Sequence, residues 1–134
     1  MLKYILDTNI CIYIAKENPI QVLERFKSLS PGIVGMSLIT HAELLYGAAK
    51  SNNPRKTKQL ASQLTELIPV LSVDNNVAEH YADIRASLAK QGKIIGNNDL
   101  WIAAHVRSKN KILVTNNEKE FCRVEELTVE NWCS

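Results

Sequence analysis

Apolar positions along this chain change period as they go, and the changes divide it into elements. Tyr4-Ile5-Leu6 is an unbroken apolar run, and Leu2 to Leu6 predicts a short buried strand ended by Asp7-Thr8-Asn9. Ile10 to about Ala15 starts a helix. Pro19 suits the first turn of another, with Val22, Leu23 and Phe26 on one face. Ser30-Pro31-Gly32 is a turn, and β-branched Ile33 to Met36 a second strand. Ser37 to about Ala49 carries a helical stripe of Ile39, Ala42, Leu45 and Tyr46, broken by Ser51 to Pro54. A helix from Arg55 to Leu67 and a strand from Pro69 to Val73 follow. Asp74 or Asn75 caps a long helix to Gln91, with Val77, Tyr81, Ile84 and Leu88 in phase and Gly92 as its stop. Gly96-Asn97-Asn98 reads as a tight turn before a helix from Asp99 to about Ser108. Lys111 to Thr115 is a strand, Glu118 to Phe121 a helical turn, and Leu127 to Val129 a last short strand. Strands alternating with helices predict an α/β fold, a three-layer α/β/α sandwich around a short, mainly parallel sheet.

Composition narrows this little. The 134 residues suit one domain spanning 1–134, with 46% hydrophobic and 22% charged residues. A chain this long buries roughly two-thirds of its unfolded surface. Net charge is +2, which permits a nucleic-acid partner without demanding one. The three cysteines (Cys11, Cys122, Cys133) are far apart and lack C-x-x-C spacing, so a thiolate zinc site is not expected and a reducing cytoplasm is. Asp7 and Asn9 interrupt the first apolar stretch, so it is no signal peptide, and no apolar run is long enough to span a membrane.

The polar residues at element ends change the picture. Asp7 closes the first strand, Glu43 stands just inside a helix, Asp99 opens another, and Asn117 follows the run Ile112 to Thr115. Each has a structural explanation. Asp7 or Asn9 can cap a helix, Thr40-x-x-Glu43 fits a capping box, Asp99 can cap, and Asn116 or Asn117 can close a turn. Taken together they suggest more. In open parallel sheets, ligands bind beyond the carboxyl ends of the strands, where strand order reverses. Carboxylates converging there repel one another unless a cation neutralises them. Oxygen donors suit Mg²⁺ or Mn²⁺, which with water can cut a phosphodiester.

These residues resemble a known family. Leu6-Asp7-Thr8-Asn9, Ser37-x-x-Thr40-x-x-Glu43, Gly96-x-x-Asp99, and Val114-Thr115-Asn116-Asn117 with Glu120-Phe121 look like the successive motifs of PIN-domain proteins. The stretch Gln91 to Asp99 is most similar to VapC toxins of bacterial toxin–antitoxin pairs. The resemblance implies a Mg²⁺- or Mn²⁺-dependent endoribonuclease in which Asp7, Glu43 and Asp99 bind metal and activate water. The family's fourth acidic position falls on Asn117, an amide that can ligate but adds no charge; Glu120 is the candidate substitute. Thr8 and Thr115 would orient these groups, and Asn9 would fasten its loop. The resemblance also implies a VapB-type antitoxin, a toxin homodimer, and a structured RNA substrate such as tRNA, including the initiator tRNA anticodon loop.

Phosphate contacts are less legible. Lys50, Arg55, Lys56 and Lys58 form one basic group; Lys93 is nearest the Asp99 loop, and Arg85 projects from the polar side of its helix. His41, His80 and His105 lack ligand spacing and are expected to be structural, while Trp101 and Trp132 are core or interface residues. A haloacid-type phosphatase would need a second Asp where Asn9 stands, and a receiver would need an acidic pair that is absent. A non-catalytic RNA- or partner-binding PIN-like protein is the remaining alternative, resting on Asn117.

Overall fold

The computed structural model describes residues 1–133. In chain order it contains β1 (Tyr4–Leu6), α1 (Thr8–Lys16), α2 (Ile20–Lys27), β2 (Val34–Ser37), α3 (Leu38–Ala49) and α4 (Pro54–Leu67). Then come β3 (Val70–Leu71), α5 (Asn75–Gln91), α6 (Asn97–Lys109), β4 (Ile112–Val114), α7 (Glu118–Phe121) and β5 (Thr128–Glu130). The strands form one five-stranded sheet in the order β3-β2-β1-β4-β5, parallel at every pairing. Leu6 sits opposite both Met36 and Val114.

The period of two along the strands sorts side chains to opposite faces. Tyr4, Leu6, Val34, Met36 and Val114 pack with α1, α2 and α4 residues such as Ile10, Val22 and Leu64. Ile5 and Leu113 point the other way, against Val77, Ile84 and Leu88 of α5 and Leu100 to Val106 of α6. The sheet is therefore covered on both faces, as parallel sheets require. The chain moves outward from β1 to β2 and β3, then returns to the other side of β1 at β4. The strand order reverses between β1 and β4.

Several local expectations need correction. Pro19 is the N-cap of α2 rather than part of its first turn. Asn53 caps α4, whose first residue is Pro54, one earlier than expected. Asp74, not Asn75, caps α5 through Val77 N–H at 3.1 Å. The third strand is only Val70–Leu71, because this edge strand pairs with β2 alone. The capping box does not form: Ser37 is the N-cap of α3, accepting from Ile39 N–H at 3.2 Å, and Thr40 already lies inside the helix, fully buried. Glu43 consequently stands in the second turn of α3, not the first. Nor is Gly96-Asn97-Asn98 a separate turn. Gly96 is the N-cap and α6 begins at Asn97, so Asp99 is the third helical residue and caps nothing.

Candidate active site

Asp7 follows β1 and Thr115 follows β4, so the switch point of the sheet places them side by side. The Asp7 amide donates to Val114 C=O at 3.0 Å. Asp7 also caps α1: Oδ1 accepts from Ile10 N–H at 2.9 Å. Its Oδ2 accepts from the Thr115 hydroxyl at 2.5 Å, and Thr115 Oγ1 in turn accepts from Asn117 N–H at 2.9 Å. Both side chains are buried. Burial pushes the Asp7 carboxyl above its ordinary range, against the pull of the Thr115 and Ile10 hydrogen bonds, and the nearby Glu43 charge adds to the rise.

Glu43 is half-buried and held from two sides. Its Oε1 accepts from the Thr8 hydroxyl at 2.5 Å, and its Oε2 from Asn98 Nδ2 at 3.3 Å. Thr8 Oγ1 also lies 3.3 Å from Thr40 Oγ1, one turn before Glu43. Thr8 belongs to the helix that Asp7 caps and Asn98 precedes Asp99, so these bonds tie the carboxylate-bearing elements together. Desolvation raises the Asp99 pKa to about 7, reinforced by the charge of Glu120 and a hydrogen bond to it, then by the charges of Glu43 and Asp7. Glu120 Oε1 accepts from Gly96 N–H at 3.1 Å, and its Oε2 accepts from Asn117 Nδ2. Asp99 thus feels the other three carboxylates, and Asn117 serves one of these, Glu120.

The other expected residues are placed as follows. Asn9 donates its backbone N–H to Asp7 while its side chain is exposed. Arg85 donates to the Tyr81 hydroxyl at 2.6 Å, which donates to Asn97 Oδ1 at 2.6 Å. That chain reaches the start of α6 but not the carboxylates. Lys93 is exposed, and its carbonyl receives Arg123 Nη1 at 3.5 Å. His80 accepts from Arg107 Nε at 2.8 Å, and buried His105 pairs with Ser37 at 2.6 Å. Trp132 is buried edge-on to Tyr4 at 5.4 Å, and Trp101 stacks on Tyr81 at 3.9 Å. Sequence reasoning missed Asn98 and Thr40. The three-residue spacing of Thr40 and Glu43 was a signal for the second; nothing local marked the first.

The PIN domain family matches residues 4–127. The ribonuclease VapC2 of Haemophilus influenzae is 47% identical over 132 residues, 98% of this chain and 99% of that protein. This chain belongs to the VapC ribonucleases of the PIN-domain family. The tRNA(fMet)-specific endonuclease VapC of Shigella flexneri is 46% identical over 98% of the chain and 99% of its own length. Among solved structures, DNA-bound VapBC from Salmonella typhimurium superposes with TM-score 0.93 at 40% identity, covering 99% of this chain and 100% of that one.

In this PIN domain the donors gathered at the switch point are carboxylate and amide oxygens, the set that suits a hard divalent cation. Among the described residues, no three His, Cys, Asp or Glu side chains stand close enough together to hold a metal as they are. The fit lies in the donor chemistry and in the Asp99 carboxyl, raised first by burial and then by the negative charges of Glu120, Glu43 and Asp7. No Lys or Arg side chain hydrogen-bonds any of the four carboxylates among the described residues. No helix of the described chain is long and apolar enough to cross a membrane.

Proposed function

We propose that this VapC-family ribonuclease is a Mg²⁺- or Mn²⁺-dependent endonuclease that cuts tRNA, with the initiator tRNA anticodon loop as its target, and thereby inhibits translation in the cytoplasm. The observation that supports this reading is the Asp99 carboxyl, which burial and the charges of Glu120, Glu43 and Asp7 push up to about 7. Asp7, Glu43, Asp99 and Glu120 would hold the metal, with Asn117 supporting Glu120. When bound, the metal lowers the pKa of a water and offsets charge on the scissile phosphate.

The chain's own groups supply position and proton handling. Thr115 and the α1 N-terminus fix the Asp7 carboxylate. Thr8 and Asn98 hold both oxygens of Glu43 in one orientation. Without metal, burial and the neighbouring carboxylates hold the Asp99 pKa at about 7, so its proton would give way to a cation there. The tRNA target is supported by the tRNA(fMet)-specific names of the Shigella and Salmonella relatives, 46% and 40% identical. The VapBC complexes among the structural neighbours support a VapB-type antitoxin as partner and a role as toxin; the family resemblance adds a toxin homodimer.

The test is cleavage of total tRNA by antitoxin-free protein, with Mg²⁺ or Mn²⁺ against chelator. We expect discrete metal-dependent cuts that vanish in Asp7→Asn and Asp99→Asn. A folded wild type that cuts nothing, or Asp7→Asn cutting as well as wild type, would remove the assignment.

A further inference from the structure

A groove of about 550 Å³ leads away from the carboxylates along α3. Glu43 and Asn98 form one end, Ile39 and Gly47 line it, and Tyr46 and Lys50 close it. Residues 43, 46, 47 and 50 succeed one another on a single helix face, carrying the groove about 10 Å from the site.

Packing within the chain does not account for three features of this face. Tyr46 is 67% exposed, although an aromatic ring ordinarily buries its faces. Lys50 Nζ sits 4.9 Å from the centre of that ring and forms no ion pair among the described residues. Gly47 lies inside the helix, where glycine costs up to about 1 kcal/mol against alanine. Nothing stands within 4 Å of where its Cβ would be, so packing does not require it. Its effect is to leave the groove wall bare.

We propose that this groove is an RNA subsite, in which a nucleobase stacks on Tyr46 and Lys50 takes the adjoining phosphate. The proposal rests on the ribonuclease reading and adds where the strand runs beyond the cut. An exposed ring flanked by a cation is the arrangement that binds single-stranded RNA regardless of sequence. The bare stretch at Gly47 suits a flat base. Beyond Lys50 the basic side chains Arg55, Lys56 and Lys58 continue the positive charge at the start of α4. An apolar peptide in the same groove would strip water from Lys50 without giving it an anionic partner, which opposes that occupant.

The experiment uses Tyr46→Ala, Tyr46→Phe and Lys50→Gln. Cleavage of total tRNA gives KM and kcat. Binding of a fluorescein-labelled single-stranded oligoribonucleotide is measured by anisotropy in an Asp99→Asn background across a salt series. Tyr46→Ala is expected to raise KM and Kd by roughly 5- to 100-fold, the range of one lost base stack, with kcat little changed. Tyr46→Phe retains wild-type affinity, and Lys50→Gln lowers the salt slope by about 0.7. Thermal melts establish that these exposed substitutions leave the fold intact. Wild-type affinity in Tyr46→Ala overturns the subsite, as does an equal loss in Tyr46→Phe. A loss accompanied by a changed oligomer in light scattering also overturns it and assigns the face to a copy of this chain. Wild-type protein that neither cuts tRNA nor binds the oligonucleotide fails the ribonuclease reading itself, whereas normal cutting with silent variants fails the subsite alone.

Discussion

Asp7 holds a helix end with one oxygen and the Thr115 hydroxyl with the other, and burial resists its charge. These roles separate by substitution. Asn caps a helix about as well as Asp, whereas Ala forfeits about 1 kcal/mol. Asp7→Asn is therefore expected to unfold in urea at or above the wild-type midpoint while losing cleavage, and Asp7→Ala to lose both stability and cleavage. A destabilised Asp7→Asn would mean that its charge, and not its oxygen, holds the loop. Asp99 makes a second prediction, on pH. Its folded pKa of about 7 lies above the ordinary 3.8, so between these values the folded chain keeps a proton that the unfolded chain has lost. Its contribution is fully present below the unfolded value and disappears as pH rises through 7. Metal-free protein should thus lose stability between about pH 4 and pH 7, and Asp99→Asn should flatten that decline. Parallel stability curves for the two proteins would refute the elevated pKa.

At the scale of elements, the site depends on the angle between α3 and α6, which carry Glu43 and Asp99. A buried hydrogen bond of 2.6 Å between Ser37 Oγ and His105 Nδ1 joins them, and the same Ser37 oxygen caps α3 through Ile39 N–H. The Ser37 hydroxyl therefore serves the α3 backbone and the His105 ring together. Ser37→Ala removes a cap and strands a buried ring nitrogen, together costing about 2–4 kcal/mol. Ser37→Thr keeps the hydroxyl and should recover most of this in urea denaturation, with kcat following stability in both variants. A loss below about 0.5 kcal/mol in Ser37→Ala, the level of an ordinary surface change, would deny the bond its role. These elements also mark how far the sequence can be read. Hydrophobic period placed every strand and helix, because each buries one face against the sheet. The start of α6 escaped because Gly96-Asn97-Asn98 has turn composition, while Gly96 is the N-cap whose carbonyl accepts the first helical bond from Leu100 N–H. Thr40 misled because a threonine three residues before a glutamate reads as a cap, while the real cap is Ser37. The placement of Asp7 beyond β1, next to Thr115 beyond β4, was legible from strand ends. The clasp of Asn98 on Glu43 was not, since it needs the packed positions of α3 and α6.

Across the whole molecule, the four carboxylates come from the α1 cap, α3, α6 and α7, and only the complete sheet order gathers them. In the unfolded chain they lie far apart and offer a cation no common site. A divalent ion held by them binds the folded state alone, and stabilises it by RT ln(1 + [M]/Kd), about 1.4 kcal/mol at ten times Kd. For a chain of this size that raises Tm by roughly 3–8 °C. The gain should grow between pH 6 and pH 8, because below pH 7 the ion must first displace the Asp99 proton. Differential scanning fluorimetry with Mg²⁺ or Mn²⁺, against NaCl at matched ionic strength, measures it. Asp99→Asn and Glu120→Gln should each shrink the Mg²⁺-specific shift, since each removes one charge from the cluster without emptying space. A shift equal to that of NaCl, or one unchanged in both variants, would mean that the carboxylates gathered at the switch point do not act together on a cation.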